Sequence, residues 1–145
     1  MNPLRKCVLA INQLSTTNGA TASGNIDTLG YDFAEIDVSA TSSNNVTNNP
    51  SVLKLSESDD TVVTNFADVS GFVGDTDFTI PNVYTNTASD WKVKFSVDCR
   101  PRKRYLKVSV TPITTQILTA IANLHKGDEG PTTAAEAGVD ALVEG

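Results

Sequence analysis

The chain has 145 residues and a net charge of -6, with a pI of about 4.6. That is the size of one ordinary domain, long enough to bury a core without disulfide or metal staples. It is too acidic for general nucleic-acid binding, which needs a basic face. No stretch approaches the roughly 20 apolar residues of a membrane span. One His, two Cys and one Met leave few ligands for a transition-metal centre. Thr, Ser, Asn and Val are abundant and charged residues make up 19%, a balance that favours strands over helices.

In chain order, Leu4 to Leu14 reads as a first strand. Its apolar run Cys7-Val-Leu-Ala-Ile11, preceded by Arg5 and Lys6, is shorter than the roughly 7–15 residues of a signal-peptide core. Cys7 and Cys99 therefore read as free thiols of a reducing compartment. Ser15 to Asn25, with its Asn-Gly and Ser-Gly pairs, predicts a loop. From Asp32 to Ala40, Ala34, Ile36, Val38 and Ala40 share one face, the alternation of a half-buried strand. Thr41 to Pro50 is a polar loop, and its Asn45-Val46-Thr47 sequon is a chance match in an Asn/Thr-rich stretch. Val52 to Ser58 is a strand with Leu53 and Leu55 inward, and Ser58-Asp59-Asp60 turns the chain. Thr61 to Val73 gives short strands or irregular ribbons, and Gly74 to Ser89 is connection.

Trp91 to Asp98 alternates cleanly, with Trp91, Val93, Phe95 and Val97 on one face. Arg100 to Lys103 makes a basic turn, and Arg104 to Thr111 follows with Leu106, Val108 and Val110 inward. Two alternating runs across a short turn predict a hairpin. Thr114 to Leu124 is a last strand by its β-branched first half. Beyond it strand pattern fades. The whole predicts an all-β, antiparallel β-sandwich or jelly roll of about eight strands, with a domain over 1–125 and an extended C-terminal arm over 126–145.

Catalytic signatures are lacking in the sequence. There is no Gly-x-Ser-x-Gly elbow and no phosphate-cradling loop. His125 falls where strand pattern fades, next to Lys126 and Gly127, and reads as a solvated tail residue. Cys99, beside Arg100, sits where cations lower a thiol pKa, but no second His stands ready as its base. Asp75, Asp77, Asp59 and Asp60 offer oxygen ligands without the spacing of a calcium loop, and turn chemistry accounts for them. The expectation is no enzyme, no cofactor and no metal.

The strongest charge feature is the cluster Arg100, Arg102, Lys103, Arg104 and Lys107. As a function it predicts contact with an acidic partner surface; otherwise it is a solvated turn. The arm is its mirror image, carrying Asp128, Glu129 and Glu136 among small apolar residues. Those carboxylates are candidates for meeting the basic turn of an adjacent copy, by an arm that orders on assembly.

Three stretches carry a resemblance: Asn25-Ile-Asp-Thr-Leu-Gly-Tyr31 running on to Val38, Leu53-Lys-Leu-Ser-Glu-Ser-Asp-Asp60 with Phe66-Ala-Asp-Val69, and Arg102-Lys-Arg-Tyr-Leu-Lys-Val-Ser-Val-Thr111. The series resembles small β-sandwich virion proteins of tailed bacteriophages, of the capsid decoration or cement type, over about residues 25–125. The resemblance implies a non-enzymatic structural protein, made in the host cytoplasm. It would bind the major capsid protein on the outside of an assembled capsid, often as a trimer, without nucleic acid or membrane. Two other readings stand beside it. One is a head–tail connector, neck or tail component. The other is a carbohydrate- or cell-surface-binding sandwich using Trp91, Tyr31, Tyr84 or Tyr105 as platforms.

Overall fold

The computed structural model describes residues 5–42, 50–80, 91–127 and 134–145, except for the side chains of Ser42, Glu136 and Ala137. The strands are β1 (Arg5–Thr16), β2 (Ala22–Asp27), β3 (Phe33–Ser42), β4 (Val52–Ser58), β5 (Ala67–Val73), β6 (Trp91–Asp98), β7 (Tyr105–Thr111), β8 (Gln116–His125) and β9 (Ala141–Glu144), with one helical turn α1 (Ala134–Ala137). They form a β-sandwich of a five-stranded sheet, β1-β8-β3-β6-β9, and a four-stranded sheet, β2-β7-β4-β5. Taken without β9, that interleaved order is the double Greek key of a jelly roll.

Period-two alternation builds the core. Ala34, Ile36, Val38, Ala40, Trp91, Val93, Phe95, Val97, Leu118, Ala120, Ala122 and Leu124 enter it from the larger sheet. Leu53, Leu55, Leu106, Val108 and Val110 enter from the smaller one. All are buried, and each of the larger ones contributes about 1.5–3 kcal/mol. Phe72 and Phe78 both meet Phe95 edge-on, with ring centroids 5.9 and 5.7 Å apart.

Four sequence expectations change. β6 and β7 do not pair with each other. β6 pairs with β3 and β9, β7 with β2 and β4, and residues 99–104 carry the chain from one sheet to the other. Alternation told which residues face inward, and both runs do. Second, the stretch 15–25 is mostly strand: β1 runs to Thr16 and β2 begins at Ala22. Gly24 is needed inside β2 because a Cβ there would overlap the backbone carbonyl of Ala10, so β1 and β2 approach closely where the sheets meet. Third, His125 is not a solvated tail residue. It closes β8, is only 6% exposed and stacks on Phe33.

Fourth, the end of the expected arm is part of the sandwich. β9 pairs in parallel with β6, from Val93↔Ala141 to Ser96↔Glu144, whereas the other pairs of named strands are antiparallel. Lys92 N donates to Asp140 Oδ2 at 3.0 Å, and Asp98 N donates to the Gly145 carbonyl at 2.9 Å. Val143 is 6% exposed, and Gly145 lies against the Phe72 ring. The driving force is an otherwise open β6 edge beside aromatic rings, where an added strand satisfies backbone groups and covers apolar surface.

β1 is the opposite edge of the larger sheet. Its pairing with β8 shifts register between Leu9 and Ile11 and again between Ile11 and Leu14, and Gln13 has a φ of 43°. These are β-bulges.

Candidate interaction surface

Asp27, Tyr105 and Ser58 stand side by side across β2, β7 and β4. Just past this row lie the loops 28–32 and 59–66, and the 99–104 crossing arrives there. Two strand spacings put the three segments within about 10 Å of one another. The basic cluster belongs to this end of the sandwich.

The loops are tied to one another. Thr28 donates to the Arg104 carbonyl through both its backbone N, at 3.0 Å, and its Oγ1, at 2.7 Å. Lys103 N donates to Glu57 Oε2 at 3.0 Å, and Cys99 N to the Asp32 carbonyl at 2.8 Å. The loop 59–66 is organised around Asp60. Its carboxylate accepts from Val62 N at 2.9 Å and Asn65 Nδ2 at 2.8 Å. Those two bonds, the Val62 N–H first, hold the Asp60 carboxyl below the usual range.

The predicted basic patch is thereby largely answered from within the chain. Arg100 grips Asp98 through Nε and Nη2 at 2.8 and 2.7 Å. Arg104 grips Asp27 in the same two-pronged way at 2.9 and 2.8 Å. These are the strong geometry for an ion pair. The Arg104 hydrogen bond holds the Asp27 carboxyl down to about 2, and the Arg100 hydrogen bond lowers Asp98. Lys103 Nζ lies 3.9 Å from Asp59. Arg102 sits over the Phe72 ring at 5.9 Å, with its Nε buried and unpartnered. Lys107 starts two residues further along β7 and reaches back over the ring of Phe66, at the close of the 59–66 loop, at 4.2 Å. Asp128 and Glu129 lie outside the described residues, as does the side chain of Glu136, so their predicted meeting with the basic turn has no counterpart among them.

Sequence reasoning missed the apolar side of this end. Leu29 is 65% exposed, Val62 53% and Val63 75%. The signal was present, since a Val-Val pair directly after a turn cannot continue an alternating strand inward. Between loops 28–32 and 99–104 a shallow depression of about 300 Å³ is lined by residues including Leu29, Tyr31, Arg100 and Lys126.

The remaining chemical candidates fall elsewhere. Burial pushes the Cys99 thiol up to about 12, the opposite of the activation expected beside Arg100. Asp77 Oδ2 accepts from Gly71 N at 2.8 Å and Val73 N at 3.0 Å, so it builds its own turn. Among the described residues no three His, Cys, Asp or Glu side chains converge as a metal site, and no helix is long and apolar enough to cross a membrane. Trp91 is buried, with Nε1 donating to Gln116 Oε1 at 3.4 Å, and so is not a surface platform. Tyr84 and Asn45 lie outside the described residues.

No protein-family model matches the chain, and no curated protein does. Among solved structures it is similar to part of BuGH86 in complex with neoagarooctaose, at 15% identity and a TM-score of 0.41, over 86% of this chain and 19% of that one. It is also similar to part of BtGH115A, a family GH115 4-O-methyl-alpha-glucuronidase with specificity for decorated arabinogalactans. There the identity is 12% and the TM-score 0.34, over 85% of this chain and 16% of that one. The chain thus spans about a fifth or less of each of those proteins.

Proposed function

We propose that the chain is a non-enzymatic virion structural protein that attaches to the outside of an assembled capsid and stabilises it, working as a homo-oligomer with a trimer favoured. The observation that carries this reading is the rigid end of the sandwich. There three segments are cross-tied, Arg100 and Arg104 are paired with the chain's own carboxylates, and apolar side chains face solvent. Such an end is a preformed contact surface, whose ordering cost is met on folding rather than on binding. The sequence resemblance to decoration proteins points the same way. The two groups best suited to nucleophile and base chemistry are poorly placed for it: the Cys99 thiol is held protonated at neutral pH, and His125 is sealed under Phe33.

The test is co-sedimentation of the purified full chain with empty shells assembled from a candidate major capsid protein of the same genome. Saturable retention on the shells, with raised shell resistance to heat, is the expected result. A chain that stays in the supernatant at all ratios overturns the reading.

A further inference from the structure

We infer that the end carrying loops 28–32, 59–66 and 99–104 is the docking end, and that the surface it meets on its partner is apolar and close to neutral rather than acidic. The inference rests on the capsid-attachment reading and names the chemistry of that contact.

The argument begins with what the loop 59–66 holds in place. Asp60 takes hydrogen bonds from Val62 N and Asn65 Nδ2, Asn65 N donates to the Val62 carbonyl at 3.0 Å, and Asp60 N donates to Ser58 Oγ at 3.2 Å. A polar framework of that kind fixes a loop in one conformation. What it fixes here is Val63 with three quarters of its surface in water, where the side chain adds almost nothing to the core. Leu29 is held out in the same way, by the Leu29 N bond to Asp27 Oδ1 at 3.1 Å and the Thr28 anchors on Arg104. Scattered exposed apolar side chains are ordinary. Apolar side chains on rigid, mutually anchored loops at one end match the centre of a protein–protein contact, ringed by polar groups.

Charge then decides the partner. Had the arginines faced solvent unpaired, an acidic partner would be the complement. Instead Arg100 and Arg104 are each matched by a bidentate carboxylate from this chain, and Asp59, Glu57 and Asp60 stand at the same end. An acidic partner would have to compete with Asp27 and Asp98 for their guanidinium groups and would meet the remaining carboxylates as like charges. An apolar, uncharged surface meets neither cost.

The experiment compares shell co-sedimentation of the wild-type full chain with Val63→Asp and Leu29→Asp. Both sites are exposed, so circular dichroism and the melting temperature should be unchanged and report that folding is intact. Each variant is expected to lose about tenfold or more in shell affinity. Wild-type retention should hold between about 0.1 M and about 1 M salt, where the screening length falls from about 10 Å to about 3 Å. Wild type retained, with both folded variants retained equally, overturns the inference and leaves the capsid reading standing. Wild-type retention abolished by salt and indifferent to the variants assigns the contact to an acidic partner and also overturns it. No wild-type retention at all overturns the capsid reading, and the inference with it.

Discussion

His125 stacks on Phe33 with ring centroids 5.6 Å apart and planes 23° off parallel. The two are direct cross-strand neighbours at the end of β8 and β3, and the Arg100 guanidinium also lies over the Phe33 ring, 4.9 Å from its centroid. His125 Nδ1 is buried without a hydrogen-bond partner, a condition that costs about 1–3 kcal/mol. His125→Phe keeps the stack and removes the orphaned nitrogen, so it should melt at or above the wild-type temperature. His125→Ala removes the stack and should melt lower. A His125→Phe protein that melts well below wild type would show that the nitrogen has a structural task.

Asp27 gives a pH signature. Its folded pKa, about 2, lies below the ordinary value near 3.9. A depressed carboxyl contributes stability above its unfolded pKa and loses that contribution as pH falls through the folded value. Both Asp27 and Arg104 are more than a third exposed, so solvent screening holds the contribution to about 1 kcal/mol or less. Asp27→Asn should lower the melting temperature at pH 7 by about 4 °C or less. The gap from wild type should close between about pH 4 and pH 2. A gap that is constant across that window assigns the effect to something other than the ion pair.

The thiols separate by reactivity. Cys7 is exposed and Cys99 buried, and the Cys99 pKa of about 12 leaves almost no thiolate at pH 8. Mass spectrometry after brief alkylation of the native chain should find one label, on Cys7, and two after denaturation. The sign for stability is opposite to that of Asp27. The unfolded thiol ionises near 9 while the folded one does not, so this group's contribution falls as pH rises from about 9 towards about 12. Rapid native labelling of Cys99 would show that the 99–104 crossing opens.

Removal of residues 141–145 tests whether β9 is arm or core. Val143 and Gly145 cover the side of Phe72 and the β6 edge, so their loss bares apolar rings and unpaired backbone. The expected outcome is a folded but weakened domain, destabilised by about 2–4 kcal/mol, with increased binding of a hydrophobic dye. An unchanged melting temperature would restore the extended-arm reading of this segment.

Much of the sandwich was legible because alternation reports burial directly. Every residue assigned inward in β3, in β6 and at Leu53, Leu55, Leu106, Val108 and Val110 is buried. What alternation does not carry is partnership. β6 and β7 are adjacent in sequence with matched patterns, yet each pairs with strands far away in the chain. The same limit governs the candidate surface. The cations of 100–104 were plain in the sequence, but Asp27 and Glu57 reach them only through folding. Asp98, two residues from Arg100, was the one neighbour that local reading had within view. His125 was misplaced because its cover, Phe33, comes from another strand. β9 escaped because four residues after a glycine-interrupted turn carry too little pattern to announce a strand.

The irregular β1 edge has a consequence for solution behaviour. A straight, twelve-residue outer strand bearing Leu9 and Leu14 in water would be a ready template for fibrous stacking of one molecule on the next. The two register breaks and the left-handed Gln13 interrupt the ladder of free amides and carbonyls before an incoming strand can zip along it. An incoming strand would therefore meet a broken edge rather than a continuous one along that side.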